Sequence, residues 1–330
     1  MERRAPDNRA KMTSRLVVVG SGGFAVNCLE AILQDDAAKI ALVVTDPRAK
    51  AMRGLLQRRC ADRGLPIIES TDLNSAGTLA AIRAERPDYV ISCYNMQILR
   101  RELLGIPRFG TVNFHNGPLP RYRGVNVYSW AIINGESEYG VTWHLVDEGI
   151  DSGPILIQRM FQLSPNERPT TLLAKGFEMG VECLADMLPA LLAGRLTARP
   201  QDEALATYYS RRDLPNGGWI DWEWPWERLD RFFRGLDYRP LPNSFVYPTT
   251  ALRGTVCYPQ TLRRLDDSRE GEPGEIVDFR NDALAVQAAD GAVALSDILG
   301  PDHKPISLRD LRVLWHARRG DRLDRHDRSG

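Results

Sequence analysis

Short aliphatic runs alternate with helical patterns through the first half of the chain, and this alternation constrains the fold more than any other feature. The runs Leu16–Gly20, Ile40–Thr45 and Tyr89–Cys93 are predominantly apolar, which is typical of strands that are buried on both faces. Helical patterns lie between the runs, for example over Ala25–Leu33 and Ala76–Glu85. Strands that are joined through helices predict an α/β fold with a doubly wound, mostly parallel, Rossmann-like sheet.

The predicted sheet continues through two further strands, Thr111–His115 and Gly140–Asp147, and a long amphipathic helix over Thr171–Leu192 closes this unit. The composition then changes, and short β-like stretches that are separated by turns follow. Several short strands at regular spacing favour a small barrel. We therefore predict an α/β domain over residues 14–200 and a smaller C-terminal, OB-like β-barrel domain over residues 205–318.

Charge and hydropathy narrow the class of protein. The chain carries 43 basic and 43 acidic residues, whereas proteins that bind phosphate backbones usually have a basic surplus. Nucleic acid is therefore a less expected partner, although a local patch would still permit it. No apolar run approaches the ~20 residues of a membrane helix, and the charged segment Met1–Ser14 lacks the apolar core of a signal peptide. We expect a cytoplasmic protein with no membrane partner; nothing indicates its oligomeric state.

The cysteines do not indicate a metal site. They are odd in number and scattered, and no two lie at a spacing that zinc pairs use. Most of them have apolar neighbours, so we expect buried, reduced thiols and no bound metal. The five are Cys28, Cys60, Cys93, Cys183 and Cys257.

A glycine-rich turn follows the first predicted strand and raises the possibility of a dinucleotide site. Gly20-Ser-Gly22-Gly23-Phe-Ala25 satisfies a loose G-x-G-x-x-A pattern, and Asp46 ends the next strand, where a ribose-binding acid could lie. This pattern leaves an NAD-dependent dehydrogenase open. A tight strand-to-helix turn that needs glycine for a positive φ would explain the same residues.

A second group of polar residues is more specific. Asn113 and His115 are two residues apart on one predicted strand, so both side chains project from the same face. They lie at the C-terminal end of the strand, where open α/β sheets bind their ligands. Asp147 and Asp151 lie in a turn rich in acid and glycine after a later strand. A polar pair and ordinary turn chemistry would explain each part separately. Together, an amide donor, an imidazole and a carboxylate form a workable constellation for acyl transfer.

The spacing of these motifs resembles the 10-formyltetrahydrofolate-dependent formyltransferase family. The resemblance rests on Asn113-x-His115, the loop from Asn116 to Gly124, Gly140-Val-Thr142, and an acidic turn that places Asp151 36 residues after His115. It implies a formyltransferase with 10-formyltetrahydrofolate as cosubstrate and Asn113, His115 and Asp151 as catalytic residues. It also implies that the Gly20 turn supports the sheet and binds no dinucleotide.

The resemblance further implies where the folate binds. Its pterin would contact mainly backbone atoms of two segments, with the Pro-rich loop flanking it. The segment residues are Gln97, Ile98, Leu99, Val146, Asp147 and Glu148, and the loop residues are Gly117, Pro118, Leu119 and Pro120. The usual His-Gly-Ser-Leu-Leu-Pro of the family reads His-Asn-Gly-Pro-Leu-Pro here, which changes the loop but leaves the three catalytic residues in place.

Elementary chemistry assigns a role to each catalytic residue. The side-chain NH₂ of Asn113 can donate to the oxyanion that develops on the formyl group. His115, if protonated, can donate as well and supply a proton to the leaving nitrogen. Asp151 beside it is expected to raise the pKa of His115 and fix the orientation of the ring.

The acceptor amine is less constrained. Members of the family that act on tRNA carry a basic insertion after the second strand, and here the corresponding segment, residues 46–63, has no Gly-Lys-Lys run. Its basic residues include Arg48, Lys50, Arg53, Arg58 and Arg59. With zero net charge, a small amine, such as an amino sugar or an amino-acid-type intermediate, is the preferred acceptor. Methionyl-tRNA formyltransferase stays as an alternative, and a formyl-folate hydrolase is a more remote one.

Overall fold

The computed structural model describes residues 13–49, 54–266, 271–280, 282–313 and 315–324. It confirms the predicted fold class: a Rossmann-like α/β sheet with helices, followed by a smaller antiparallel β sheet. Within these residues no helix is both long and apolar enough to cross a bilayer. All five cysteines are buried and none is in a disulfide, as predicted.

The N-terminal part contains eight strands and six helices among its described residues. The strands are β1 Ser14–Gly20, β2 Ala38–Thr45, β3 Ile67–Glu69, β4 Tyr89–Cys93, β5 Gly110–His115, β6 Arg123–Gly124, β7 Glu138–Leu145 and β8 Ile155–Gln162. The helices are α1 Gly22–Leu33, α2 Leu55–Asp62, α3 Ala76–Ala84, α4 Arg101–Leu104, α5 Val127–Asn134 and α6 Pro169–Leu192.

Seven of these strands form one sheet in the order β3-β2-β1-β4-β5-β7-β8. The first five are parallel, and β7 pairs antiparallel with β5, so the sheet is mostly parallel, as predicted. Side chains of β1 alternate between two apolar clusters: Leu16 and Val18 join one, and Val17 and Val19 join the other. The first cluster includes residues of α1 and α6, and the second includes residues of α3 and α4. Helices therefore cover both faces of the sheet.

The C-terminal part is built around a six-stranded antiparallel sheet in the order β12-β13-β14-β11-β10-β15. Its strands are β10 Thr250–Leu252, β11 Thr255–Arg264, β12 Ile276–Arg280, β13 Ala283–Ala288, β14 Gly291–Leu299 and β15 Leu323–Asp324, and the two-residue strand β9, Tyr208–Tyr209, pairs with β6. Two helices accompany this sheet, α7 Trp226–Gly235 and α8 Leu308–Val313. Trp222 and Trp224 are buried in the core of this part.

The chain forms two compact units, and the sequence segments of one unit alternate with those of the other. One consists of the N-terminal stretch that ends at Gly124 with Gly140–Phe161 and Lys175–Tyr208, and the other of Val125–Tyr139, Gln162–Ala174 and the stretch from Tyr209 onward. Helix α5 therefore belongs with α7 in the second unit. The sequence ranges 14–200 and 205–318 stay predictions for the two sequence domains.

Candidate active site

The three predicted catalytic side chains meet at one end of the sheet. Asn113 and His115 lie at the C-terminal end of β5, and Asp151 lies on the turn after β7. Nδ1 of His115 is 3.4 Å from a carboxylate oxygen of Asp151, and the two side chains are 7% and 14% exposed. An imidazole and a carboxylate are thus paired in a site that is largely shielded from water.

The other nitrogen of the His115 ring is also engaged. Nε2 lies 2.6 Å from the carbonyl oxygen of Tyr122, so it carries a hydrogen and donates to that oxygen. The ring reaches this position because residue 117 is glycine: a Cβ there would lie 2.5 Å from Nε2 of His115. Gly117 is therefore required for the close approach of the loop to the ring.

The pKa of His115 is set mainly by the burial of its ring, an effect that the sequence analysis did not consider. Burial lowers the pKa of His115 below its usual value, and this effect outweighs the opposing influences of the Asp151 carboxylate and the Tyr122 carbonyl. The expected effect of Asp151, which is to raise the pKa of His115, is present, but burial outweighs it and the net pKa is lower. The imidazole is therefore neutral at pH 7 and can accept a proton.

Asp151 stays ionised despite its own burial. Burial alone would raise the pKa of this carboxyl, but the charge interaction with His115, the contact with His144 and the backbone N–H of Gly124 hold the pKa well below its usual range. That N–H donates to a carboxylate oxygen of Asp151 at 2.9 Å. Asp151 has a left-handed φ of 51°, a conformation that Asp and Asn tolerate better than most residues.

A fourth polar residue, His144, joins the site and was missed in the sequence. It lies on β7 directly opposite Asn113 of β5. Its Nε2 is 3.2 Å from the amide nitrogen of Asn113 and 3.5 Å from Asp151, while its Nδ1 donates to the carbonyl of Leu145 at 2.8 Å. Because Nδ1 donates to the Leu145 carbonyl, Nε2 is left to accept from the Asn113 amide and fixes the direction of that amide. The signal was the period-two alternation of β7, which places His144 on the same side as Thr142.

The predicted loop Gly117–Pro120 is held from β7 and β8. Thr142 donates its hydroxyl to the carbonyl of Gly117 at 2.8 Å, and Gln158 donates to the carbonyl of Leu119 at 2.6 Å. Gly117, Pro118 and Leu119 are buried, whereas Pro120 is half-buried. The loop is thus a supported wall beside His115, and which of its atoms contact a folate stays a prediction.

The two segments predicted to contact the pterin are also brought together. Val146 packs against the apolar cluster that contains Leu99, and Glu148 forms an exposed ion pair at 3.4 Å with Arg101 at the start of α4. Ile98 is 64% exposed. Backbone atoms of Gln97 are already bonded to the Asn95 side chain, with N–H donation at 3.1 Å and carbonyl acceptance at 2.7 Å.

Asp147 differs from Asp151 in its surroundings. Its carboxylate accepts from the backbone N–H of Gly149 at 3.0 Å and from the hydroxyl of Ser152 at 2.7 Å. These are the contacts of a residue that shapes a turn. Its side chain therefore stabilises the turn that carries Asp151.

The glycine turn after β1 lacks an available acid. The Asp46 carboxylate accepts from Arg48 at 2.7 Å and from the Gln97 amide at 2.9 Å. A ribose would have to displace both partners. Among the described residues, no group of three or more His, Cys, Asp or Glu side chains is placed to hold a metal ion.

Two family profiles match the chain. The formyl transferase profile matches residues 14–188, and the profile of the formyl transferase C-terminal domain matches residues 215–312.

Curated relatives and solved structures agree with these matches. Methionyl-tRNA formyltransferase of Roseiflexus castenholzii is 36% identical over 97% of this chain and 100% of its own length, and that of Roseiflexus sp. is 35% identical over 94% and 96%. A crystal structure of an N-formyltransferase from Helicobacter canadensis, in complex with folinic acid and dTDP-3-aminofucose, superposes with a TM-score of 0.62 at 18% identity. That superposition covers 85% of this chain and 98% of the other, and at this identity it supports the fold. Matches along nearly the whole sequence show that this chain belongs to the formyl transferase family.

Proposed function

We propose that this enzyme transfers the formyl group of 10-formyltetrahydrofolate to the amino group of a small-molecule acceptor, with Asn113, His115 and Asp151 as its catalytic residues. The observation that carries the proposal is the shielded pair of His115 and Asp151 beside the amide of Asn113. Transfer of a formyl group needs a donor for the developing oxyanion and a group that moves protons between two nitrogens. This arrangement supplies both.

The proposed chemistry divides between the amide and the ionisable pair. One N–H of Asn113 is directed by His144, and the second is available for the formyl oxygen as negative charge develops there. The acceptor nitrogen forms a bond to the formyl carbon and loses a proton, which the His115–Asp151 pair takes up. The bond from the formyl carbon to N10 then breaks, and the pair returns a proton to N10, so the enzyme ends in its starting state. A neutral resting His115 suits this sequence because it must first accept a proton.

A small acceptor is supported by the charge pattern of the segment after β2. Arg48 is paired with Asp46 at 2.7 Å, and Arg59 and Arg63 both pair with Glu30, at 3.1 and 2.6 Å. Lys50 and Arg53 lie outside the described residues. Arginines that already face carboxylates bind phosphate less strongly, since the carboxylate must be displaced. Three of the four described arginines in this segment are thus weakened as phosphate ligands, and Arg58 is the exposed exception.

Methionyl-tRNA is the second candidate, and one observation favours it. The two curated relatives named above carry the name methionyl-tRNA formyltransferase, and they match nearly the full chain at 35–36% identity. A tRNA acceptor would need several phosphate contacts, so its affinity should fall steeply with salt. Salt dependence therefore separates the two candidates.

The test supplies 10-formyltetrahydrofolate and follows the release of tetrahydrofolate. One arm offers nucleotide-linked amino sugars and free amino acids, another offers charged initiator methionyl-tRNA, and a third contains no amine. We expect amine-dependent turnover in the first arm with little change between low and moderate salt. Efficient, salt-sensitive turnover on the tRNA alone would replace the small-amine proposal, and equal turnover without an amine would indicate a hydrolase.

Two arginine variants sharpen this test. Arg58 is exposed on α2, in the segment that corresponds to the basic insertion, and Arg83 is exposed on α3, over the opposite face of the sheet. For a small acceptor, Arg58→Ala and the control Arg83→Ala should both keep the wild-type KM. For tRNA, Arg58→Ala alone should raise the KM and reduce its salt dependence.

A further inference from the structure

Residues 199–207 run beside the candidate site after α6 has ended. Their path is fixed by the backbone of β8, where Arg199 and Ile155 exchange two hydrogen bonds at 2.7 and 2.8 Å. The segment has little regular structure beyond one short 3₁₀ turn, Glu203–Leu205. Its contacts nevertheless reach both partners of His115.

Gln201 holds the turn that carries Asp151. Its side-chain NH₂ donates to the carbonyl of Asp151 at 2.8 Å and to the carbonyl of Gly153 at 2.7 Å. Both hydrogens of the amide are therefore used on a turn in which Asp151 has a left-handed φ. A donor that bridges these carbonyls restricts rotation of the backbone on both sides of the Asp151 side chain.

Arg123 fixes which way the Gln201 amide points. The guanidinium donates to the Gln201 oxygen at 3.2 and 2.8 Å, and it also pairs with Glu203 at 2.6 Å. Because a guanidinium only donates, the Gln201 oxygen must face it and the NH₂ must face the turn. Arg123 is 8% exposed and Gln201 is half-buried, so the contact between these two side chains is partly shielded from water, whereas Glu203 is exposed.

The same segment holds the second partner of His115. Thr207 accepts the backbone N–H of Tyr122 on its hydroxyl at 2.8 Å, and its carbonyl accepts the N–H of Arg123 at 2.9 Å. The carbonyl of Tyr122 is the acceptor for Nε2 of His115. Residues 199–207 thus support the oxygen on each side of the imidazole.

We propose that Gln201 is a positioning residue of the enzyme, which holds the Asp151 carboxylate against His115 by fixing the backbone of the Asp151 turn. The proposal rests on the catalytic roles proposed above for His115 and Asp151. Gln201 itself contacts neither the formyl donor nor the acceptor in this scheme. Its effect is transmitted through the two carbonyls that it bridges.

The test compares Gln201→Ala and Gln201→Glu with Thr197→Ala as a control, since Thr197 is exposed and lies outside residues 199–207. Glu keeps the size of the side chain and the contact with Arg123, but an ionised carboxylate cannot donate to the two carbonyls. We expect kcat to fall about tenfold in both Gln201 variants, as the loss of hydrogen bonds of ordinary strength implies. The KM for 10-formyltetrahydrofolate should change less than about twofold, and Thr197→Ala should behave as wild type.

A pH profile provides a readout that a merely structural role would not move. The groups that face His115 are the Asp151 carboxylate, the His144 ring and the Tyr122 carbonyl, with Arg123 near the carboxylate. If the carboxylate withdraws, the pKa of His115 falls further, so the acid limb of kcat/KM should move to lower pH. The limb that belongs to the acceptor amine is the same in each variant and serves as an internal reference.

Three outcomes are decisive. A lower kcat with a displaced acid limb in folded Gln201→Glu supports the proposal, even if Gln201→Ala fails to fold. A lower Tm with an unmoved acid limb and wild-type kcat overturns it, because Gln201 would then be structural only. Asp151→Asn, measured in parallel, separates failure of the catalytic proposal from failure of the inference about Gln201. If Asp151→Asn is fully active, the proposed catalytic roles fail. If it is inactive and the Gln201 variants have wild-type kcat and pH profiles, only the inference about Gln201 fails.

Discussion

Two strand ends of the same parallel sheet carry polar residues where such sheets bind ligands, and their side chains are used differently. At the end of β2, Asp46 is paired with an exposed arginine and an amide, and a Cβ on Gly20 nearby would lie 2.5 Å from the carbonyl of Cys93. At the end of β5, His115 and Asp151 are shielded and face one another. The first arrangement builds a tight turn, and the second keeps a carboxylate and an imidazole ready for proton transfer. A local glycine pattern therefore says less about function than titratable groups that converge from separate elements.

The comparison predicts opposite results for the same substitution at the two strand ends. Asp151→Asn should lower kcat/KM at least about a hundredfold, because it removes the charge that stabilises protonated His115 during transfer. Asn also tolerates the left-handed φ of this position, so the fold should survive. Asp46→Asn should change kcat/KM less than about twofold. Steady-state kinetics of both variants gives the two values of kcat/KM, and thermal unfolding checks that both are folded. Equal kcat/KM values would contradict the difference proposed between the two strand ends.

His144 should have a smaller effect than Asp151. His144→Leu removes the acceptor that directs the Asn113 amide, and one such hydrogen bond corresponds to about a tenfold loss in kcat. His144→Asn keeps a donor for the Leu145 carbonyl and should recover part of the activity. The idea is wrong if both variants turn over at the wild-type rate.

The depressed pKa of His115 also predicts a pH dependence of stability. The unfolded chain takes up a proton on this residue near pH 6.5, whereas the folded protein resists protonation until a lower pH. The free energy of unfolding should therefore decline as the pH falls from about 6.5 towards the folded pKa. The drop in Tm between pH 7.5 and 5.5 should be smaller in His115→Gln than in wild type. An identical drop in both proteins would contradict this account.

The smallest expected effect concerns nucleotide binding at the glycine turn. NAD(H) should produce no measurable heat in calorimetry, because the acid that a ribose would need is held by two partners. Asp46→Asn should not alter this result. A micromolar Kd for NAD(H) would reverse our interpretation of the turn.

Local patterns predicted most of the elements, and non-local pairing accounts for what they missed. The strand Tyr89–Cys93 has the predicted bounds because its pattern is complete within the segment. β8 was missed because its sequence mixes Gln158 and Arg159 into an apolar run at the sheet edge. His144 was missed because its role depends on the antiparallel register of β5 and β7, which brings residues 31 positions apart face to face. His115 and Asp151 were identified through motif spacing, but the net effect of burial on the ring was not readable from it.

The interleaving of the two compact units has a consequence for how the protein is made. Helix α5 is synthesised early, but it packs in the second unit, where the Ser129 hydroxyl meets the Tyr238 hydroxyl at 2.8 Å and Gly235 leaves room for Ile133. Helix α7 leaves the ribosome about 100 residues after α5, a delay on the order of 5–20 seconds at typical rates of translation. During that time the side of α5 that packs on α7 has no native partner. A nascent chain that stops near residue 200 should therefore expose a surface that chaperones recognise, and release of the chain past α7 should bury it.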